Sequence, residues 1–177
     1  MDICITPAKQ HDLSELLYLY KLVATQKDGI IRNEEEITEA YITNFLKRSL
    51  KKGLILLAKS DTEIIGEIHA YIPNIFAFRH ILSDLTIVVH PDYQGMGVGR
   101  KLFTRFLDTV KTHYRHILRI ELYVRAHNHK THSFYKSLGF ADEGRHENKI
   151  LNSDLTLETP IHMAWFNPNF NPSYKPK

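Results

Sequence analysis

One segment in the middle of the chain limits the folds that this sequence can adopt. The run from Leu82 to Val89 has a strand-like pattern and ends at His90-Pro91. A glycine-rich turn then leads into a helix whose apolar positions cover one face, and Ile117 to Val124 follows as another strand. This strand–helix–strand unit lies between hairpin-like strands. It therefore predicts a mixed sheet with helices on its faces.

The remaining elements complete a single α/β domain. Those predicted outside the central unit are a strand at residues 2–6, helices at about 12–22 and 34–51, strands at 54–58 and 64–72, a helix at about 128–138, and two weaker strands near 144–150 and 157–166. No internal repeat or linker divides the chain, so we predict one domain over residues 1–166. Residues 167–177 form a tail rich in Asn and Pro, for which we expect no fixed fold.

The composition is that of a globular protein. The chain has 177 residues, 43% hydrophobic and 24% charged, which is enough for one packed core and short for two. Cys4 is the only cysteine, which excludes an intrachain disulfide and a cysteine-based zinc site. The first nine residues do not resemble a signal peptide, and no apolar run approaches the roughly 20 residues of a membrane helix. We therefore expect a soluble protein of the cytoplasm without a membrane partner.

The charge distribution gives little support for a nucleic-acid partner. The formal net charge is +3, and only one tight basic run occurs, comprising Lys47, Arg48, Lys51 and Lys52. That run lies at the end of a predicted helix, where the helix dipole favours cations. We interpret it as a solvated helix end rather than a nucleic-acid surface.

The turn after the central strand has the features of a phosphate site. Its sequence, Gln94-Gly95-Met96-Gly97-Val98-Gly99-Arg100, places three glycines at alternate positions. Glycines there let backbone N–H groups point into one concavity, and the helix that follows adds the positive end of its dipole. A flexible turn is the alternative. A Walker loop does not fit because Arg100-Lys101 stands after Gly99, and a dinucleotide fingerprint would need glycine in place of Arg100.

Two spaced motifs together resemble the GNAT acetyltransferase superfamily. Gln94 to Gly99 is similar to that superfamily's Gln/Arg-x-x-Gly-x-Gly/Ala signature. Downstream, Val124-Arg125-Ala126-His127-Asn128, followed by Phe134-Tyr135-Lys136-Ser137-Leu138-Gly139-Phe140, is similar to its Val-x-x-x-Asn…Phe-Tyr-x-x-x-Gly-Phe block. The two motifs span about residues 82–140.

The resemblance implies an α/β (α+β) fold with a mixed, mostly antiparallel sheet of six to seven strands. About four helices would flank the sheet, which would splay between strands four and five to admit acetyl-CoA. The implied activity is transfer of an acetyl group from acetyl-CoA to a primary amine. The backbone at residues 87–89 would bind the pantetheine arm, and the N–H groups of residues 95–100 the pyrophosphate. The residues implied to bind the cofactor are Ile87, Val88, Val89, Gln94, Gly95, Met96, Gly97, Val98, Gly99, Arg100, Asn128 and Tyr135.

Acyl transfer to an amine needs a neutral amine and a proton for the departing thiolate. By resemblance, Tyr135 lies near the thioester sulfur and is predicted to be the general acid. Some family members carry a glutamate where this sequence has Tyr123, so the resemblance does not assign the base to that position. Asp84 and Glu121 are the two candidates, and a water relay is the third possibility.

Several alternatives stay open at this point. His127, His129 and His132 lack a nearby acidic residue at ligand spacing, so we expect no functional metal. A non-catalytic acyl-CoA-binding or regulatory module and a nucleotide-binding enzyme are the rival classes. The acceptor is a small polyamine, an aminoglycoside, an amino acid, or a protein N-terminus or lysine, and a homodimer is an open alternative. Four glutamates could attract a cationic amine, or could simply be an acidic helix start: Glu34, Glu35, Glu36 and Glu39.

Overall fold

The computed structural model describes residues 2–26, 29–61 and 63–175, which form a seven-stranded sheet with helices on both faces. The sheet order is β1-β2-β3-β4-β5-β9-β6, and β7 and β8 pair separately. The strands are β1 (Ile3–Pro7), β2 (Gly53–Ser60), β3 (Glu63–Tyr71), β4 (Ile81–Val89), β5 (Arg119–Arg125), β6 (Ala141–Arg145), β7 (Ile150–Leu151), β8 (Leu157–Glu158) and β9 (Pro160–Phe166). The helices are α1 (Leu13–Ala24), α2 (Glu39–Lys52), α3 (Val98–His113) and α4 (His129–Ser137).

The sheet splits between β4 and β5, which form the only parallel strand pair among the described residues. Every other neighbouring pair is antiparallel, whereas β4 and β5 are parallel and joined through α3. β4 and β5 are paired only at Ile81–Arg119 and Leu82–Ile120. On its other side, β4 stays paired with β3 as far as Gly66–Val89. β4 and β5 therefore diverge after Leu82, which confirms the predicted mixed sheet and its splay between strands four and five.

The two faces of the sheet carry different cores. On one face, α3 and α4 cover an apolar cluster that includes Leu102, Phe103 and Phe106. On the other face, α1 and α2 pack on β2 and β3. This second core also contains Glu67 and His69, which are 0% and 2% exposed. We call these the α3–α4 face and the α1–α2 face.

Local boundaries differ from the sequence prediction in two places. The helix expected from residue 34 begins only at Glu39, because residues 34–36 form a separate 3-10 turn and Thr38 caps α2 by accepting a hydrogen bond from the Tyr41 N–H at 3.1 Å. The strand expected near 144–150 is β6, Ala141–Arg145, followed by a turn. Within the described ranges no helix is long and apolar enough to cross a membrane.

The C-terminal tail is held against the body of the protein, so the expectation of no fixed fold is wrong for most of it. Asn167 is 4% exposed, and its backbone and side-chain N–H groups donate to Leu118 O and Ile117 O at 2.8 and 3.0 Å. Further along, the Asn171 N–H donates to Arg115 O at 2.7 Å. These bonds satisfy polar groups that would otherwise be buried without partners. Residues 176 and 177 of the predicted tail lie outside the described residues.

Candidate active site

The turn before α3 has the backbone of an anion cradle. Gly95 and Gly97 have φ values of 78° and 83°, in the left-handed region that favours glycine. A Cβ added at either position would meet no atom within 4 Å, so both glycines border open space. Gly99 differs, since an added Cβ would lie in ordinary contact with Val89 and Ile87 at 3.8 and 3.9 Å. The conformational need for glycine is therefore at residues 95 and 97.

Helix α3 begins at this cradle and is packed close to the sheet. The first backbone donor inside the helix is Lys101, whose N–H donates to Gly97 O at 3.0 Å. The N–H groups of residues 98–100 precede it and have no intrahelical acceptor, which leaves them available to an anion. A Cβ at Gly66 would lie 3.0 Å from Leu102 Cδ1. Glycine on β3 therefore lets α3 approach the sheet and fixes where its N-terminus lies.

The longer polar side chains of the predicted cofactor set brace this region. Gln94 Nε2 donates to Val89 O at 3.2 Å, and Arg100 Nη2 donates to Ser137 Oγ at 3.0 Å. Asn128 caps α4, because its side-chain oxygen accepts from the Thr131 N–H at 3.0 Å. These contacts tie the turn to β4 and α3 to α4. The backbone at Gly95 and Gly97 is left bordering open space.

Tyr135 lies on α4, buried against the apolar cluster. It is 7% exposed, and its ring centroid lies 5.5 Å from that of Phe103 and 5.9 Å from that of Phe140. Its hydroxyl makes no hydrogen bond with the part of the chain that the structure describes. Burial raises the pKa of Tyr135 well above the ordinary tyrosine value. The hydroxyl therefore stays protonated at neutral pH, as a proton donor must.

Asp84 occupies a β-bulge at the mouth of the fork. The pairing of β3 with β4 shifts register between His69–Thr86 and Tyr71–Ser83, which leaves an extra residue on β4. Asp84 has a φ of 55°, an uncommon backbone conformation for a non-glycine residue. Bulges of this kind re-aim a side chain and are frequent beside active sites. The Asp84 side chain is exposed, and no described cation lies within ion-pair distance of it.

Tyr71, with Arg48 over its ring, is the neighbour of Asp84 on the α1–α2 face. The Tyr71 ring is buried, and Tyr71 pairs across the sheet with Ser83, the residue before Asp84. Burial, together with the Asp84 charge, raises the pKa of Tyr71 to about 12. The guanidinium of Arg48 lies over the Tyr71 ring, with its central carbon 3.7 Å from the ring centroid. The sequence had indicated that Arg48 belongs to a solvated helix end, but it is half-buried beside the candidate base.

Glu121 lies on β5 across the fork, and both of its oxygens are engaged. Glu121 Oε1 forms an ion pair with Arg119 Nε at 2.9 Å. Glu121 Oε2 accepts a hydrogen bond from Ser83 Oγ at 3.0 Å. Because Ser83 directly precedes Asp84, these contacts bring both predicted carboxylates to the point where β4 and β5 part.

A buried polar network beneath the α1–α2 face was missed by the sequence analysis. Tyr20 on α1 donates to Glu67 Oε2 at 2.5 Å, and His69 Nδ1 lies 3.0 Å from Glu67 Oε1. The Phe45 ring stacks on the His69 ring with centroids 4.1 Å apart. The signal in the sequence is the alternation of polar and apolar residues in Gly66-Glu67-Ile68-His69-Ala70-Tyr71. It was attributed only to a strand, although it places three polar side chains on one face.

Two of the histidines considered for a metal site pair with carboxylates. His127 pairs with Glu158, and His132 Nε2 lies 2.8 Å from Asp142 Oδ1. The described residues contain no group of three or more side chains arranged to hold a metal ion. The four glutamates, for which amine attraction and an acidic helix start were both open, divide between two roles. Glu36 caps its own 3-10 turn, and the other three line an open surface pocket: Glu34, Glu35 and Glu39.

Comparisons with known proteins agree with this geometry. The family described as Acetyltransferase (GNAT) family matches residues 15–140. L-amino acid N-acyltransferase MnaT of Escherichia coli (strain K12) is 35% identical over 134 residues, which is 75% of this chain and 76% of MnaT.

Solved structures show the same fold. The yncA acetyltransferase of Salmonella typhimurium, solved with its cofactor acetyl-CoA, has a TM-score of 0.82 at 17% identity and covers 100% of this chain and 99% of that chain. Ribosomal-protein-alanine N-acetyltransferase from Brucella melitensis has a TM-score of 0.80 at 20% identity, with 92% and 99% of the two chains covered. The family resemblance inferred from two motifs is thus confirmed. This chain belongs to the GNAT acetyltransferase family and is an acyl-CoA-dependent N-acyltransferase.

Proposed function

We propose that the protein transfers an acetyl group from acetyl-CoA to the primary amine of a small molecule, with Asp84 as general base and Tyr135 as general acid. The observation that carries the proposal is the fork itself. An anion cradle and Tyr135 belong to the α3–α4 face, and the bulged carboxylate of Asp84 belongs to the α1–α2 face. The MnaT relative, whose name describes an L-amino acid acyltransferase, supports a small-molecule acceptor.

The chain's own groups fit the parts of acetyl-CoA. The N–H groups from Gly95 to Arg100 would hold the pyrophosphate, since an open concavity of positive-φ glycines precedes a helix N-terminus. Beyond Leu82, the edge of β4 that faces β5 has no strand partner among the described residues. An extended arm with amide groups can pair with such an edge. We therefore assign the pantetheine arm to residues 87–89, with Asn128 at the rim of the site.

Three proton transfers take place in the reaction. Asp84 accepts the proton that the acceptor ammonium must lose before its nitrogen can attack the thioester carbonyl. A C–N bond then forms as the C–S bond breaks, and Tyr135 donates its hydroxyl proton to the departing thiolate. The acylated nitrogen loses a second proton, which returns to the Tyr135 oxygen through solvent and restores the hydroxyl. Asp84 is better suited than Glu121 to the first step, because Glu121 is already bound by Arg119 and Ser83. A carboxylate whose two oxygens are both engaged must give up a contact before it can accept a proton.

The test is an acceptor screen that follows free thiol release from acetyl-CoA, repeated with two carboxylate variants. We expect Asp84→Asn to lower kcat on the best acceptor by about 10²–10⁴-fold, the usual contribution of general base catalysis. Asp108→Asn is the matched control, because Asp108 is an exposed carboxylate of α3 paired with Lys111. A large loss in Glu121→Gln with little change in Asp84→Asn would reassign the base. Tight acetyl-CoA binding without turnover on any amine would instead indicate a non-catalytic binding module.

A further inference from the structure

Arg48 differs from the other half-buried arginines near the sheet in lacking an acidic partner. Arg119 pairs with Glu121 and Glu143, and Arg125 pairs with Glu158. Arg48 is also half-buried, yet within the described ranges no carboxylate lies within ion-pair distance of it. Its one described interaction is with the face of the Tyr71 ring. A guanidinium keeps its charge at all ordinary pH values, and its donors are suited to bind a carboxylate with two parallel hydrogen bonds.

The position of Arg48 gives that charge a specific neighbour. Arg48 lies over the ring of Tyr71, and Tyr71 pairs across the sheet with Ser83, the residue before Asp84. A positive group over the Tyr71 ring and a negative group on the bulge beside its strand partner are thus both held at the mouth of the fork. Both are carried on regular elements, Arg48 on α2 and Asp84 on the bulge of β4, so their separation is set by the packing of α2 on the sheet.

We propose that Arg48 binds the carboxylate of an α-amino acid acceptor while Asp84 receives its ammonium group. This inference rests on the proposed function, since it takes Asp84 to be the group that faces the reacting amine. In a zwitterionic amino acid a single carbon atom separates the ammonium group from the carboxylate. One such molecule therefore carries both of the charges that Asp84 and Arg48 would bind. The site would then select α-amino acids over amines that lack an acidic group.

Charge complementarity argues against the other classes of acceptor. A polyamine would bring a second ammonium group close to the Arg48 guanidinium, and like charges at short range are repulsive. A protein N-terminus would present a neutral amide where the carboxylate would be, which leaves Arg48 without its counter-ion. Only an acceptor with an acidic group next to its amine satisfies both charges.

The experiment compares amino acids with their decarboxylated amines. The pairs are L-phenylalanine and phenethylamine, L-leucine and 3-methylbutylamine, and L-lysine and cadaverine, each assayed for thiol release from acetyl-CoA. For the wild-type enzyme we expect kcat/KM to favour the acid by about tenfold or more in at least one pair. A charge-assisted hydrogen-bonded contact is worth about 1.5–3 kcal/mol, which corresponds to about 10–150-fold. In Arg48→Gln that preference should collapse, chiefly through a higher KM for the acid.

Two further variants separate recognition from folding and from net charge. Arg48→Lys keeps the charge without the planar fork, and we expect it to recover part of the preference. Arg105→Gln removes the same charge from an exposed site on α3 and should keep the wild-type ratio. Acetyl-CoA affinity and the unfolding midpoint, measured for each variant, show whether it is folded. An Arg48→Gln variant that loses acids and amines to the same extent would overturn the inference.

Binding measurements decide the inference even if turnover fails. Calorimetry on the protein saturated with CoA would measure the affinity for each amino acid and each amine directly. Tighter binding of an amino acid, lost in Arg48→Gln, supports the carboxylate site without reference to Asp84 chemistry. Turnover of amines without any preference for acids would overturn the Arg48 inference and leave the proposed function standing. If no amino acid of the panel binds or reacts, the inference is wrong.

Discussion

The two faces of the sheet offer different kinds of chemical group to a ligand. The α3–α4 face offers backbone N–H groups from one continuous stretch, residues 94–100, over an apolar core. The α1–α2 face offers side chains from separate elements, including Arg48 from α2, Tyr71 from β3 and Asp84 from β4. Backbone recognition requires particular glycines at particular spacings, so it leaves a local pattern in the sequence. Recognition by side chains from distant elements leaves no such pattern.

The cores beneath the two faces also differ, because one is apolar and the other contains a network of polar side chains. Beneath α3 the buried side chains are apolar and pack by shape, as Leu102 and Phe106 do. Beneath α1 and α2, the core includes Tyr20, Glu67 and His69, linked by short hydrogen bonds. A buried polar network is stable only while each member keeps its partner. We therefore expect the α3–α4 face to tolerate conservative apolar changes better than the α1–α2 face tolerates loss of one hydroxyl.

The largest expected effect is on catalysis and comes from Tyr135→Phe. The ring packing against Phe103 and Phe140 is retained, and only the proton donor is removed. We expect kcat to fall by about 10²–10⁴-fold, with acetyl-CoA affinity nearly constant because the donor matters mainly as charge develops on sulfur. Steady-state kinetics and calorimetry check the two quantities. Tyr114→Phe is the control, because Tyr114 is a half-buried tyrosine whose pKa is also raised by burial.

The outcome of that experiment also decides whether Tyr135 acts in the chemical step or in binding acetyl-CoA. A change in kcat of less than about threefold would remove Tyr135 from the mechanism. An equal loss of acetyl-CoA affinity and of kcat/KM would make it part of the binding surface on the α3–α4 face instead.

A smaller effect is expected from Gly97→Ala, which tests backbone recognition directly. Gly97 has a φ of 83°, and a residue with a Cβ in the left-handed region is strained by about 1–2 kcal/mol. The turn either keeps the strain or relaxes and loses the concavity. We expect the Kd for acetyl-CoA to rise by about 5–30-fold, the equivalent of that energy. Calorimetry measures it.

Two other glycines sharpen the same test. Gly99→Ala should weaken binding less than Gly97→Ala, because Gly99 has no positive φ and an added Cβ would make only ordinary contacts. Gly144→Ala is the matched control, since Gly144 lies on β6 with open space around it. Equal effects of the substitutions at residues 97 and 99 would mean that bulk in the loop, and not backbone conformation, sets the affinity.

The sequence predicted the glycine-rich turn and α3 better than the surroundings of Asp84 and Arg48, and the reason is physical. The turn at residues 94–100 and the helix after it are local features, so spacing and periodicity were enough to locate them. Asp84 was identified, but its bulge was not, because the conformation depends on how β3 pairs with β4. Arg48 looked like part of a basic helix end. Its position over Tyr71 follows from the packing of α2 on β3, which no local pattern encodes.

The smallest functional effect, and the sharpest test of the polar core, is expected from Tyr20→Phe. Tyr20 is fully buried and donates to Glu67 at 2.5 Å. Removing the hydroxyl leaves the buried Glu67 carboxylate with one donor fewer. Unsatisfied buried polar groups cost about 1–3 kcal/mol, so we expect a free energy of unfolding lower by about that amount at pH 7. Urea unfolding measures it, and Tyr18→Phe is the control because Tyr18 is 64% exposed on the same helix.

The difference in unfolding free energy between the wild type and Tyr20→Phe should decrease at high pH. Burial, and after it the charge of Glu67, raises the pKa of Tyr20 well above the ordinary value of 10.0. Above pH 10 the unfolded chain releases the Tyr20 proton while the folded chain retains it, so folding stability falls as pH rises. The contribution of Tyr20 is complete below pH 10 and is lost by about 1.4 kcal/mol per pH unit above it. Tyr20→Phe removes that titration, so the stability gap between the wild type and the variant should narrow between pH 10 and 11. A gap that stays constant across this interval would mean that the Tyr20 hydroxyl ionises as easily in the folded protein as in water, contrary to a closed polar core under α1.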